Sequence, residues 1–174
     1  MATSSFNRVI VDLEALISNF TFLKNLVGKS AFLAMVKADG YGHGMVECAR
    51  ALTNAGCSIF GVAELCEAVE LRKSGISGTI FSMIGFNQDD ARLFLDFDIT
   101  PVVFDAISVT ALSSSATELG KTIGVHVKVD TGMSRLGVQL EEIENLLDCI
   151  EKLPGVYFAG MASHFPCADD TESS

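Results

Sequence analysis

Short apolar runs of strand length alternate with helix-patterned stretches along this chain, and that alternation restricts the available folds more than any other feature. The runs at 31–37, 58–63, 78–84, 99–104, 123–129 and 156–161 have the length and apolar content of buried strands. Before the first run, residues 13–27 place Leu13, Leu16, Ile17, Phe20, Leu23, Leu26 and Val27 on one helical stripe, with Asp12 as its N-cap. Further helical stretches are expected near 44–55, 64–73, 87–95, 106–119 and 139–152, the last with Leu140, Ile143, Leu147 and Ile150 on a common face. Six strands, each separated by a helix, read as βα units around a parallel sheet. Two architectures accommodate them, an open doubly wound sheet and a (β/α)8 barrel, and periodicity alone does not choose.

Composition excludes several function classes. The 174 residues are 49% hydrophobic and have a mean hydropathy of +0.39, enough for one sizeable core. No apolar run approaches the roughly 18 residues of a membrane-spanning helix, and Met1–Ser5 lead into no signal-like core. A cytoplasmic protein with no membrane partner is expected. A net charge of −10, from 22 acidic and 12 basic residues, disfavours nucleic-acid binding, which needs basic surface. The cysteines Cys48, Cys57, Cys66, Cys149 and Cys167 form no CxxC pair, so free thiols and no metal are expected.

Polar residues at strand ends carry the chemistry. In the first run Ala31, Leu33, Met35 and Lys37 share one face, and Phe32, Ala34 and Val36 share the other. In a closed barrel Lys37 would be the last interior residue at the C-terminal mouth, where such folds build their sites. Apolar surroundings would depress its pKa and free the amine to act as nucleophile or base. The following Ala38-Asp-Gly-Tyr-Gly-His-Gly44 holds three glycines in five residues, which lets backbone turn closely beside a ligand. Tyr41 has little local packing of its own, and His43 reads as a structural residue opening the next helix.

On the run 123–129, Ile123, Val125, Val127 and Val129 form an apolar face, while Gly124, His126 and Lys128 form the opposite one. Polar residues on an inward face are costly unless partnered, so this is no ordinary core strand. Arg135, a few residues on, suits a carboxylate or a phenolate-like oxygen through its planar fork. An Asp130–Arg135 ion pair bracing the loop is the competing reading. The last run, beginning after Gly155, finishes at His164. Three mouths bearing Lys37, Lys128 with Arg135, and His164 converge on one site.

Together, Val36-Lys-Ala-Asp-Gly-Tyr-Gly-His-Gly44, Asp130-Thr-Gly-Met-Ser-Arg-Leu-Gly137 and Ser163-His-Phe165 closely resemble the alanine racemase family, with similarity from Val11 to Asp169. The resemblance implies a (β/α)8 barrel followed by a mainly β domain, a homodimer, and pyridoxal 5'-phosphate as cofactor. It implies interconversion of L- and D-alanine, which supplies D-alanine for peptidoglycan. By matched position, Lys37 resembles the Schiff-base lysine and one of two racemisation bases. Tyr41 resembles the tyrosine at the cofactor phosphate, and Arg135 the arginine facing the phenolic oxygen and the substrate carboxylate. His164 resembles the histidine stacked near the pyridine ring. Lys128 matches a lysine carbamylated in many members, which would replace two adjacent cations by an anion–cation pair.

The chain departs from the family pattern in length. With six βα units, the last barrel units, the β domain and the second base (a tyrosine from the partner subunit) are expected outside these 174 residues. The chain alone is then expected to be inactive. Two related readings compete: a non-enzymatic pyridoxal-phosphate barrel, whose members lack the Asp-Gly-Tyr-Gly-His-Gly run present here, and a fold-related amino-acid decarboxylase, whose cofactor loop differs.

Overall fold

The computed structural model describes residues 7–170, so Met1–Ser5 lie outside the described residues. Helix α1 (Leu13–Leu26) starts where Asp12 Oδ1 accepts the N–H groups of Glu14 and Ala15, each at 3.0 Å, satisfying donors that the helix itself cannot. Six strands follow: β1 (Ala34–Met35), β2 (Ile59–Val62), β3 (Thr79–Ser82), β4 (Thr100–Val103), β5 (Ile123–Lys128) and β6 (Val156–Ala162). All are parallel, in the order β1-β2-β3-β4-β5-β6. The connections carry α2 (Lys37–Gly42) and α3 (Met45–Asn54), then α4 (Leu65–Lys73), α5 (Ala91–Asp96), α6 (Ala106–Leu119) and α7 (Ile143–Lys152).

A doubly wound sheet reverses its strand order at a switch point, and this one never does. The fold is α/β of the (β/α)8 barrel type, with six units present. Three expected elements differ in detail. The helices expected near 87–95 and 139–152 open with 3-10 turns, Gln88–Asp90 and Leu140–Glu142. The strand expected at 31–37 forms a ladder only at Ala34 and Met35, because the backbone leaves the extended region at Val36 (φ −122, ψ 16).

Cohesion comes from the side of the sheet that faces the helices. Phe60, Ile80, Val103, Val125 and Val127 are at most 1% exposed and pack with Leu71, Phe94, Leu112 and Ile150 from the helices. Each such side chain contributes roughly 1.5–3 kcal/mol on burial. Along β5 burial alternates strictly: Ile123, Val125 and Val127 are buried, whereas Gly124, His126 and Lys128 are half-buried on the opposite, inner face. On that inner face Gly61 of β2 is required by close approach. A Cβ there would collide with Met35 Sδ and lie 2.8 Å from Leu33 Cδ2.

At the entry end of the strands, Arg72 of α4 gathers the loops before β3 and β4. Its guanidinium donates to the carbonyls of Phe97 (2.9 Å), Ile76 (2.8 Å), Gly78 (2.6 Å) and Asp98 (2.6 Å). Burial pulls its pKa down, and the Asp98 carboxylate, 3.7 Å away, pushes it back up. A lysine cannot reproduce this fork of donors. Arg72→Lys should therefore cost about 2–3 kcal/mol in urea unfolding, and a loss below about 0.5 kcal/mol would show that the bracket is not structural.

Candidate functional site

Lys37 follows β1 at the C-terminal mouth, and the chain beyond it adopts a rare conformation. Ala38 (φ 51, ψ 53), Asp39 (φ 52, ψ 47), Gly40 (φ 62, ψ 38) and Tyr41 (φ 55, ψ 37) form one left-handed turn. For L-residues this costs about 1–2 kcal/mol each, and non-glycine residues enter it singly rather than in runs. The turn is tied down by its own amides and by side chains. Gly40 N–H donates to Val36 O at 2.8 Å and Gly44 N–H to Asp39 O at 2.9 Å. Asp39 Oδ1 takes the N–H of Met45, at the start of α3, at 2.8 Å. His43 caps the segment with Nδ1 2.9 Å from Gly40 O, the structural role expected of it. Strain held in place by surrounding bonds is a mark of functional backbone.

The turn carries Tyr41 back over the preceding lysine. The Lys37 Nζ stands 5.9 Å from the centroid of the Tyr41 ring, within range of a cation–π attraction, while the tyrosine itself is 58% exposed. Lys37 is half-buried.

Lys128 ends β5 on the inner face, and its ammonium is disfavoured three times over. Burial lowers its pKa most, followed by repulsion from Arg135 and then from Lys37, with Asp130 opposing. The three cations thus share one electrostatic neighbourhood. None of the ion pairs among the described residues involves any of them.

Asp130 does not pair with Arg135. Its Oδ1 accepts the N–H groups of Gly132 and Ser134, both at 3.0 Å, and Oδ2 faces Gln139 Nε2 at 3.4 Å. The Ser134 and Gly132 amides hold its pKa below the usual carboxylate range. The carboxylate therefore shapes the loop and leaves the Arg135 guanidinium, which is exposed, to other partners. Gly137 (φ 136) closes the same loop: a Cβ there would collide with Asp130 N and lie 2.7 Å from Val129 C, blocking the Val138 bonds to Lys128 O and Asp130 N–H.

His164 follows β6. The structure fixes it through its backbone, with Thr131 Oγ1 donating to His164 O at 2.9 Å, and its side chain is exposed. Lys37 thus lies beside Tyr41 and, with Arg135, within electrostatic reach of Lys128, whereas His164 is tied to Thr131 through its backbone carbonyl.

Deeper on the inner face, His126 meets Phe81 edge-on, with ring centroids 4.8 Å apart, and burial lowers its pKa. Its Nδ1 is buried without a hydrogen-bond partner among the described residues.

Sequence reasoning did not assign roles to Thr131 or Glu67. Thr131 lies inside a recognised motif, but its bond reaches 33 residues away. Glu67 carried a local signal, a carboxylate at the third helical position of α4, where capping partners stand.

A barrel-type sheet whose mouth gathers two lysines, an arginine and a tyrosine presents a cationic, amine-bearing surface. Residues 11–174 match the family model for the alanine racemase N-terminal domain. An alanine racemase of Syntrophobacter fumaroxidans is 37% identical over 167 residues, covering 95% of this chain and 44% of that protein. The crystal structure of alanine racemase from D-cycloserine-producing Streptomyces lavendulae superposes with a TM-score of 0.87 at 33% identity, covering 93% of this chain and 43% of that one. A histidine racemase of Leuconostoc mesenteroides matches with a TM-score of 0.82 at 28% identity, covering 88% of this chain and 41% of that one. The chain belongs to the alanine racemase N-terminal domain family, and it spans less than half the length of these relatives.

Two consequences are measurable. Ala38→Gly relieves a left-handed residue without removing its amide, so it should raise stability by about 1 kcal/mol in thermal unfolding; an unchanged or lower melting temperature contradicts the strain. Lys128, with its pKa lowered in the fold, releases its proton before the unfolded chain does. The wild type should gain stability relative to Lys128→Met as pH rises from neutral towards the ordinary lysine value of about 10.4. Parallel stability–pH curves would rule this out.

Proposed function

We propose that this chain carries the lysine half of a pyridoxal-phosphate-dependent amino-acid racemase acting on alanine. The observation that carries the reading is the cation cluster of Lys37, Lys128 and Arg135 beside Tyr41, without a carboxylate ion-paired to any of the three among the described residues. Such a cluster fits a cofactor bearing a phosphate and a phenolic oxygen, together with a substrate bearing a carboxylate.

The Lys37 Nζ would hold the cofactor, Tyr41 its phosphate, Arg135 the phenolic oxygen and the substrate carboxylate, and His164 the ring. When bound, pyridoxal phosphate supplies the electron sink that makes an amino acid's α-proton removable. Lys37 then moves that proton at the α-carbon on one face. Racemisation needs a second base on the opposite face, which lies outside the described residues, as do the last barrel units and the β domain. The complete enzyme is a homodimer in the cytoplasm supplying D-alanine for the cell wall. Carbamylation of Lys128 fits the cluster, since repulsion and burial both favour its neutral, nucleophilic amine and the product anion would pair with Arg135.

In the complete enzyme loaded with cofactor, borohydride should attach the label at Lys37, and a visible absorption band should vanish in Lys37→Ala. Label recovered on another residue would overturn the assignment. Interconversion of D- and L-alanine, faster than that of histidine, separates this activity from a decarboxylase, a silent cofactor carrier and a racemase for larger side chains.

A further inference from the structure

The amide of Ala38 belongs to the peptide unit of Lys37, and its partner is unusual. Along β1 the parallel ladder runs as far as Val36 N–H, which donates to Gly61 O at 2.9 Å. Two residues on, the same ladder would pair Ala38 N–H with Ala63 O. Instead Ala63 O accepts from Met83 N–H at 3.1 Å and from Ile84 N–H at 3.2 Å. The Ala38 amide turns to Glu67 Oε1 at 2.6 Å. The other oxygen of that carboxylate, Oε2, takes Ala63 N–H at 2.8 Å and Glu64 N–H at 3.0 Å.

We infer that Glu67 is a positioning residue for Lys37: its carboxylate replaces the ladder where β1 and β2 part, and so fixes the backbone from which the Lys37 amine projects. The inference rests on the reading of Lys37 as the cofactor-holding residue. One side chain grips three amides from two strand ends, 29 residues apart in sequence at its longest reach. A carboxylate suits the task because both oxygens only accept. It also stands in the first turn of α4, where the helix dipole favours negative charge. Beyond the grip the chain enters the left-handed turn at Ala38, so the anchored amide is also where strain begins. A glutamine offers one accepting oxygen and a donor that opposes an N–H. An aspartate, one methylene shorter, cannot span both strand ends.

The test uses the complete, cofactor-loaded enzyme with Glu67→Gln, and Glu70→Ala as a control that removes an exposed carboxylate from the same helix. Glu70→Ala leaves the grip on the three amides intact and should leave kcat within about twofold. Glu67→Gln should fold and bind cofactor but lose about tenfold or more in kcat with KM for alanine little changed. The pH titration of its visible band should also move relative to wild type. A folded, loaded Glu67→Gln enzyme with wild-type kcat and band titration overturns the inference while leaving the Lys37 reading intact. A wild type without a Lys37-dependent band sinks both. Should Glu67→Gln fail to fold, hydrogen exchange in the wild type decides. The Ala38 amide should be protected although it lies outside the ladder, and exchange at an unprotected rate refutes the inference.

Discussion

A parallel sheet has two faces to bury, and in this chain the helix-facing one holds the dense apolar core. Phe60, Ile80, Val103, Val125 and Val127 lock the strands to α3–α7, while the inner face sets Leu33, Met35 and Phe81 beside the polar His126 and Lys128. That division permits His126 and Lys128 to stand on β5 without loosening it. Each polar inner residue alternates with a fully buried valine whose packing holds the strand in place.

Charge follows the same geometry. The protein is strongly acidic, with a net charge of −10, yet the mouth concentrates cations. Carboxylates on the segments around it are occupied by backbone: Asp39 by Met45 N–H, Asp130 by Gly132 and Ser134, and Glu67 by Ala38, Ala63 and Glu64. Acidic residues near the site thus hold loops in shape, and Asp130 offsets the neighbouring cations only partly, without an ion pair to Lys128 or Arg135 among the described residues. The result is a locally positive, partly desolvated cluster in an acidic molecule, at which an anionic ligand finds less competition from internal ion pairs.

The parts legible in the sequence are those written in local patterns. Asp12 ahead of an amphipathic stripe announces α1. The period-2 alternation of 123–129 is enough by itself to separate the buried valines from His126 and Lys128. The six strands emerge because each is an apolar run between helical stretches. The choice of barrel over doubly wound sheet needs tertiary information, since strand order has no signature in periodicity; Lys37, Lys128 and His164 at strand ends are the best available proxy. Arg72 is illegible because its partners at Phe97 and Asp98 lie 25 and 26 residues away, and an arginine on a helix has no distinguishing pattern.

The left-handed turn shows how far composition can go. Three glycines in Gly40–Gly44 announce a turn, but the non-glycine residues held at positive φ are Ala38, Asp39 and Tyr41, of which only the aspartate has a side chain that favours that region. Their conformation follows from accounting for amides. With Ala63 O already taken from the neighbouring strand, the chain after Lys37 cannot continue as sheet, and its next donor must find another acceptor. A side-chain carboxylate supplies it, the backbone curls left, and the Tyr41 ring is delivered over the Lys37 amine. The strand is short for the same reason that the site exists, because ending the ladder at Val36 is what frees Lys37 from its neighbours.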